Sequence, residues 1–109
     1  QQCAFANTIE ALSVGVSYLA ATALGMGRCA GNCSLENLLG FLKNPRYKLD
    51  PMLRFIEKHM LPLRESGLKW GYDLHYMLTG LTDQHPRTAI AAIKNGDTHY
   101  SDYYQMLLD

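Results

Sequence analysis

Residues 24–35 read LGMGRCAGNCSL, and this stretch concentrates the groups of the chain best suited to chemistry. Gly25, Gly27 and Gly31 form a flexible turn between an apolar element and the start of a helix. There, main-chain N–H groups can approach an anion or a carbonyl oxygen, and the helix dipole favours negative charge. Arg28 adds a guanidinium able to make a charge-assisted hydrogen bond to a carboxylate or phosphate. Asn32 offers a neutral amide oxygen, which a hard divalent cation accepts alongside carboxylate or imidazole ligands. The loop therefore predicts a substrate- or anion-binding role for Gly25, Gly27, Arg28 and Gly31 and a metal-ligand role for Asn32. A tight turn with a capping asparagine and a solvated arginine is the alternative reading of the same residues.

Cys29 and Cys33 are four residues apart, a spacing that suits two metal ligands, but a structural zinc site needs four and no second Cys/His pair follows nearby. Loop and core thiols are the better reading. With Cys3 they make an odd number, unlike a secreted disulfide framework, and point to a reducing compartment, the cytoplasm. Of the four histidines, His59 follows Glu57 and Lys58 and is read as solvated. His75 lies among Tyr72, Asp73 and Tyr76, His99 lies beside Tyr100, and His85 precedes a proline as a cap or turn residue. None has the spacing of a triad or a ligand set, so no catalytic residue is assigned.

Lys plus Arg equals Asp plus Glu at ten each in 109 residues, so no global field recruits nucleic acid or an anionic membrane surface. The longest uncharged stretch, residues 11–27, carries Ser13, Ser17 and Thr22 and is interrupted by Gly15 and Gly25. It falls short of the roughly 20 apolar residues that span a bilayer. The N-terminal QQCAFANTIE lacks both a basic leader region and a starting methionine and is read as a cut end.

Phe5, Ile9, Leu12 and Val16 share one helical face, and that helix is predicted to end near Gly15. Residues 16–24 suit a buried strand by their β-branched and aromatic start, and a continuing helix by their alanines; periodicity leaves both open. Beyond the glycine turn, Asn32 or Ser34 caps a helix with Leu35, Leu38, Leu39 and Leu42 on one side, stopped by KNPRYK. Asp50-Pro51 restarts the pattern as a cap and first helical residue, with Met52, Leu53, Ile56, Met60 and Leu63 as a stripe that Pro62 should bend or end. Leu74, Met77, Leu78 and Leu81 form the next stripe. His85-Pro86 then opens a helix with Ala89, Ile90 and Ile93 inward and Gly96 past its end. Tyr100, Tyr103, Tyr104, Leu107 and Leu108 follow at helical spacing. Trp70 is placed as a packing residue beneath the loop before Tyr72. The class is mainly α with at most one or two strands.

The stretch NTIEALSVGVSYLAATALGMGRCAGNCSLENLL resembles the closing segment of the DRE-TIM metallolyase superfamily, which includes 3-hydroxy-3-methylglutaryl-CoA lyase-like and 4-hydroxy-2-oxovalerate aldolase-like members. Their pattern is an N-x-x-x-A helix, a last barrel strand, then G-x-G-x-x-x-G-N and a Leu-Glu helix start. Gly25, Gly27, Gly31, Asn32, Leu35 and Glu36 match it. Helices similar to GYDLHYMLTGLTDQHPRTA follow the barrel in the aldolase-like members. The resemblance implies the C-terminal part of a (β/α)8 TIM barrel: the last helix, strand 8 and helix 8 over 1–48, with a helical extension over 49–109. A complete barrel takes about 250 residues.

The resemblance further implies a divalent metal, Mg or Mn, in the complete enzyme, and making or breaking of a carbon–carbon bond next to a carbonyl of a small 2-oxo acid such as pyruvate. In the family an Asp, a His-x-His and in several members the G-N asparagine hold the metal; Asn32 alone matches a position present here. Gln1 and Gln2 resemble the residues just after the His-x-His, so the chain is expected to begin beyond those ligands and to bind no metal by itself. Ala20 replaces the usual strand aspartate, and Cys29 puts a Cβ into a turn where a small residue is usual. Expected partners are the rest of the barrel or other subunits, with no nucleic acid and no membrane. The alternative is a non-catalytic helical module that docks a second subunit or a partner dehydrogenase.

Overall fold

A computed structural model describes residues 2–109. Gln1, one of the two glutamines expected to follow the family's His-x-His, lies outside them. The described residues are mainly helical, and they fall into two compact units, 2–71 and 72–109. None of their helices is long and apolar enough to cross a membrane.

In the first unit, α1 (Ala4–Ser13) ends as expected before Gly15, which takes a left-handed φ of 89°. α2 (Leu35–Leu42) meets it through an edge-to-face contact of Phe5 and Phe41 at 5.7 Å. Between them, residues 16–21 adopt neither of the regular forms the sequence left open. Thr22 alone forms a parallel bridge, to Ser34, before a 3-10 turn at Ala23–Gly25. A strand is stabilised by ladders on its flanks, and among the described residues this segment has no neighbouring strand.

α3 (Leu49–Phe55) begins one residue ahead of the expected Asp50 cap, with Lys48 in the cap position. Asp50 instead lies in the first turn, where its carboxylate suits the helix dipole and pairs with Arg54 at 2.8 Å. Pro62 does not end this helix. The chain widens into a π turn at Ile56–Met60 and resumes as α4 (Leu61–Glu65), with Pro62 in its first turn, where a missing N–H is tolerated. The π turn packs against Ala23–Gly25, and α2 packs against both that turn and α3. Cys33, Leu38, Ile56 and Met60 are the buried apolar residues here.

The second unit packs α5 (Leu74–Leu81) on α6 (Arg87–Lys94) and α7 (Tyr100–Leu108). Two apolar stripes are corrected. In α5 the buried positions are His75 and Thr79, whereas Leu81 is 59% exposed and Leu74 is also exposed. In α6 Ala89 is fully buried and Ala92 joins it, while Ile90 is 46% exposed. Small residues at a helix contact permit close approach, which rotates the larger Ile90 outward. Ala92, Tyr103 and Leu107 form the core with Leu78 against them. Thr88 Oγ1 and the Tyr103 hydroxyl share a 3.0 Å hydrogen bond. His85 does serve the turn, its Nδ1 accepting from Arg87 N–H, and Gly96 follows α6 with φ 68°.

Before α7, Asp97 accepts a hydrogen bond from the His99 backbone N–H at 2.9 Å, and its Oδ1 lies 3.1 Å from His99 Nδ1. These bonds, the backbone one foremost, hold the Asp97 carboxyl below its ordinary value. A group depressed in the folded state contributes stability that is present above its unfolded pKa and disappears as pH falls through the folded one. Asp97→Asn is therefore expected to flatten the loss of stability below about pH 4. Urea unfolding curves at pH 3 and pH 6 for both chains check this.

Candidate functional site

The glycine turn is built around the Asn32 side chain. Asn32 Nδ2 donates to the Met26 carbonyl at 2.9 Å, and Thr22 Oγ1 donates to the same oxygen at 2.8 Å. The Asn32 backbone N–H donates to the Gly25 carbonyl at 2.9 Å. With its nitrogen committed, the amide has its Oδ1 available as acceptor, and among the described residues no hydrogen bond is made to it.

Each glycine of the expected set has a steric reason. A Cβ on Gly27 would fall on the Asn32 amide nitrogen. One on Gly25 would come within 2.8 Å of the Asn32 carbonyl oxygen, and one on Gly31 within 2.7 Å of the Gly25 carbonyl oxygen. Gly31 also has φ 91°, a backbone region that L side chains rarely adopt. Arg28 is exposed, and its backbone carbonyl accepts from Gly31 N–H. The structure thus brings Gly25, Gly27, Gly31 and Asn32 together, with Arg28 on the outer side of the turn.

Ser34 occupies the cap position of α2, but no side chain caps that helix end. Instead the Leu35 N–H donates to the Thr22 carbonyl, and Glu36 in the first helical turn reaches back to accept from Leu24 N–H at 3.0 Å. Cys29 has φ 57° and Leu24 φ 51°, so two non-glycine residues of this turn are left-handed. Such conformations cost on the order of 1 kcal/mol each and persist where the surroundings enforce them. Cys33 is buried under the turn, and no cysteine is in a disulfide among the described residues.

Trp70 packs on this loop rather than beneath the segment before Tyr72. Its indole N–H donates to the Leu24 carbonyl at 2.9 Å, and the Arg64 guanidinium lies 4.7 Å over the ring centre. Contacts separated by 46 residues leave no periodic signal, and the sequence did not disclose this one.

A second arrangement was also missed. His75 is 1% exposed, with its ring 4.8 Å from both Tyr100 and Tyr103. Asp73 caps α5, and one carboxylate oxygen meets both the His75 backbone N–H at 2.8 Å and Nδ1 at 3.0 Å. A carboxylate accepts only, so Nδ1 carries the proton. Nε2 is buried without a hydrogen-bond partner among the described residues. The same turn recurs, exposed, at Asp97 and His99. Asp-x-His at i, i+2 was the available signal.

Among the described residues no group of three or more His, Cys, Asp or Glu side chains could hold a metal ion. The Asn32 Oδ1 has the chemistry of a single oxygen ligand to a hard cation.

No family profile matches the chain, and no solved structure matches it. Over 40 residues the chain is 48% identical to an oxaloacetate decarboxylase of Mycobacterium tuberculosis. That stretch is 37% of this chain and 12% of the relative, so the chain spans about an eighth of the relative's length. The comparison supports a loose, lyase-like relationship.

Proposed function

We propose that the chain is the loop-bearing C-terminal part of a divalent-metal-dependent carbon–carbon lyase of the 4-hydroxy-2-oxovalerate aldolase type, acting on a small 2-oxo acid. The observation that carries this reading is the construction of the turn. Gly27 clears the space beside the Asn32 side-chain amide, Gly25 and Gly31 permit the close backbone approaches that close the turn, and a backbone carbonyl fixes the amide nitrogen so that its oxygen is the free end. The partial likeness to an oxaloacetate decarboxylase, named for a reaction on a 2-oxo acid, agrees with it.

On this reading residues 1–48 close a TIM barrel and residues 49–109 extend it with helices. Asn32 would give its Oδ1 to Mg or Mn beside ligands from the rest of the barrel. The bound ion would polarise the carbonyl next to the breaking bond and steady the enolate. Arg28 is free to meet a substrate carboxylate, and the turn's N–H groups that are not used internally add to it. One amide oxygen does not hold a labile cation against water, so this polypeptide alone is expected to be inactive. A reducing, cytoplasmic setting suits its three cysteines, none of which is in a disulfide among the described residues.

The docking module is the second reading, and the exposed apolar residues of the α3–α4 helix favour it. Leu53, Phe55, Leu61 and Leu63 are each at least 40% exposed. A second subunit or a partner dehydrogenase is the occupant that reading supplies.

One assay separates the two. In a barrel assembled around this chain, Asn32→Ala is expected to weaken Mn activation of 2-oxo acid cleavage by at least about tenfold. Ser34→Ala, at a helix cap that makes no side-chain bond, should change it less than twofold. Equal effects, or no cleavage by the assembled parent, would overturn the lyase reading.

A further inference from the structure

We propose that Trp70 is a positioning residue for the Asn32 amide, acting through the backbone of Leu24; its relevance to a reaction rests on the function proposed above. Leu24 is left-handed, and both its backbone groups are held by distant side chains. Glu36 takes the N–H at 3.0 Å and the Trp70 indole holds the carbonyl at 2.9 Å. Two peptides further on, the Met26 carbonyl receives the Asn32 amide.

A peptide carbonyl at a left-handed residue has no helical or sheet partner to fix it. An indole N–H, which donates only, defines its direction. The rotation of the Leu24 peptide sets where the Gly25 and Met26 carbonyls point, and those are the two oxygens that orient Asn32. A second contact comes from the same place in the chain. The Gly71 Cα lies 3.4 Å from where a Cβ on Gly31 would stand, so the backbone after Trp70 lies directly against the turn. Arg64, over the indole face, limits the ring's own rotation. Residues 64–71 thereby reach the amide without touching it.

The test uses the full chain and the nuclear magnetic resonance signals of the Asn32 side-chain NH2. In the parent these two protons should be well separated and slow to exchange. Trp70→Phe keeps an aromatic ring for Arg64 and removes the N–H. It is expected to speed Asn32 NH2 exchange about five- to tenfold, the loss of roughly one hydrogen bond of protection, with helical circular dichroism retained. Unchanged Asn32 signals in that variant would overturn the proposal.

Should the variant lose its helices, the parent chain decides. In urea below the unfolding midpoint the indole N–H and the Asn32 NH2 must lose protection together. An amide that opens while the indole stays protected overturns the inference. A failed Asn32→Ala cleavage assay alongside coupled exchange would sink the lyase reading and leave the positioning role standing.

Discussion

Gly31→Ala is expected to destabilise the first unit by about 3 kcal/mol, from two costs that act together. Its φ of 91° lies where a side chain strains the backbone, on the order of 1–2 kcal/mol. The new Cβ would also sit 2.7 Å from the Gly25 carbonyl oxygen, a backbone atom that cannot swing aside like the end of a side chain. That carbonyl accepts the Asn32 N–H, so relief of the clash breaks the hydrogen bond that closes the turn.

Gly15→Ala is the control. Gly15 has a nearly identical φ of 89°, and an added Cβ there meets nothing within 4 Å. It should show only the backbone share of the effect, about 1 kcal/mol. Urea denaturation of the two variants against the parent measures the difference, and equal values would mean that the Gly25–Gly31 approach is not maintained in solution.

His75→Ala should be about as damaging in the second unit, at roughly 3 kcal/mol. The ring is enclosed by Tyr100 and Tyr103 and fills the space between α5 and α7. Truncation leaves a void, and the Asp73 carboxylate loses its side-chain partner while keeping its bond to the backbone N–H. His75→Phe separates shape from polarity. It restores the ring and removes the unpartnered Nε2, whose burial is itself unfavourable, at the expense of the Nδ1 bond. The two polar changes oppose each other, so the variant is expected within about 1 kcal/mol of the parent. Thermal unfolding followed by circular dichroism tests the ordering Ala far below Phe.

The helices whose apolar spacing is reinforced by punctuation were legible. α1 ends ahead of Gly15, α2 stops before Asn44-Pro45, and α6 lies between Pro86 and Gly96, each where glycine or proline makes continuation unfavourable. The faces of α5 and α6 were not. Leu74, Met77, Leu78 and Leu81 fall at helical spacing, but in a unit of 38 residues the helices approach over alanine and threonine, and a hydrogen-bonded histidine takes the centre. Pro62 was visible as a disturbance, yet whether a helix ends or widens depends on what packs against it, here Ala23–Gly25.

At the site, the spacing of Gly25, Gly27, Gly31 and Asn32 foretold a tight polar turn. What it withheld was the set of atoms holding the turn in place. Glu36 and Trp70 bind Leu24 from 12 and 46 residues away, and long-range contacts of that kind arise only from the folded chain.

The lone bridge between Thr22 and Ser34 has a practical consequence. Residues 17–21 make no backbone–backbone hydrogen bond among the described residues, and Tyr18 in their midst is 94% exposed. A parallel ladder has thus been started with nothing alongside to continue it, next to bulky side chains open to water. Open edges of this sort recruit extended segments from other polypeptides and seed intermolecular sheets. For anyone producing the chain in isolation, colloidal behaviour at high concentration, more than thermal melting, will govern how it can be handled.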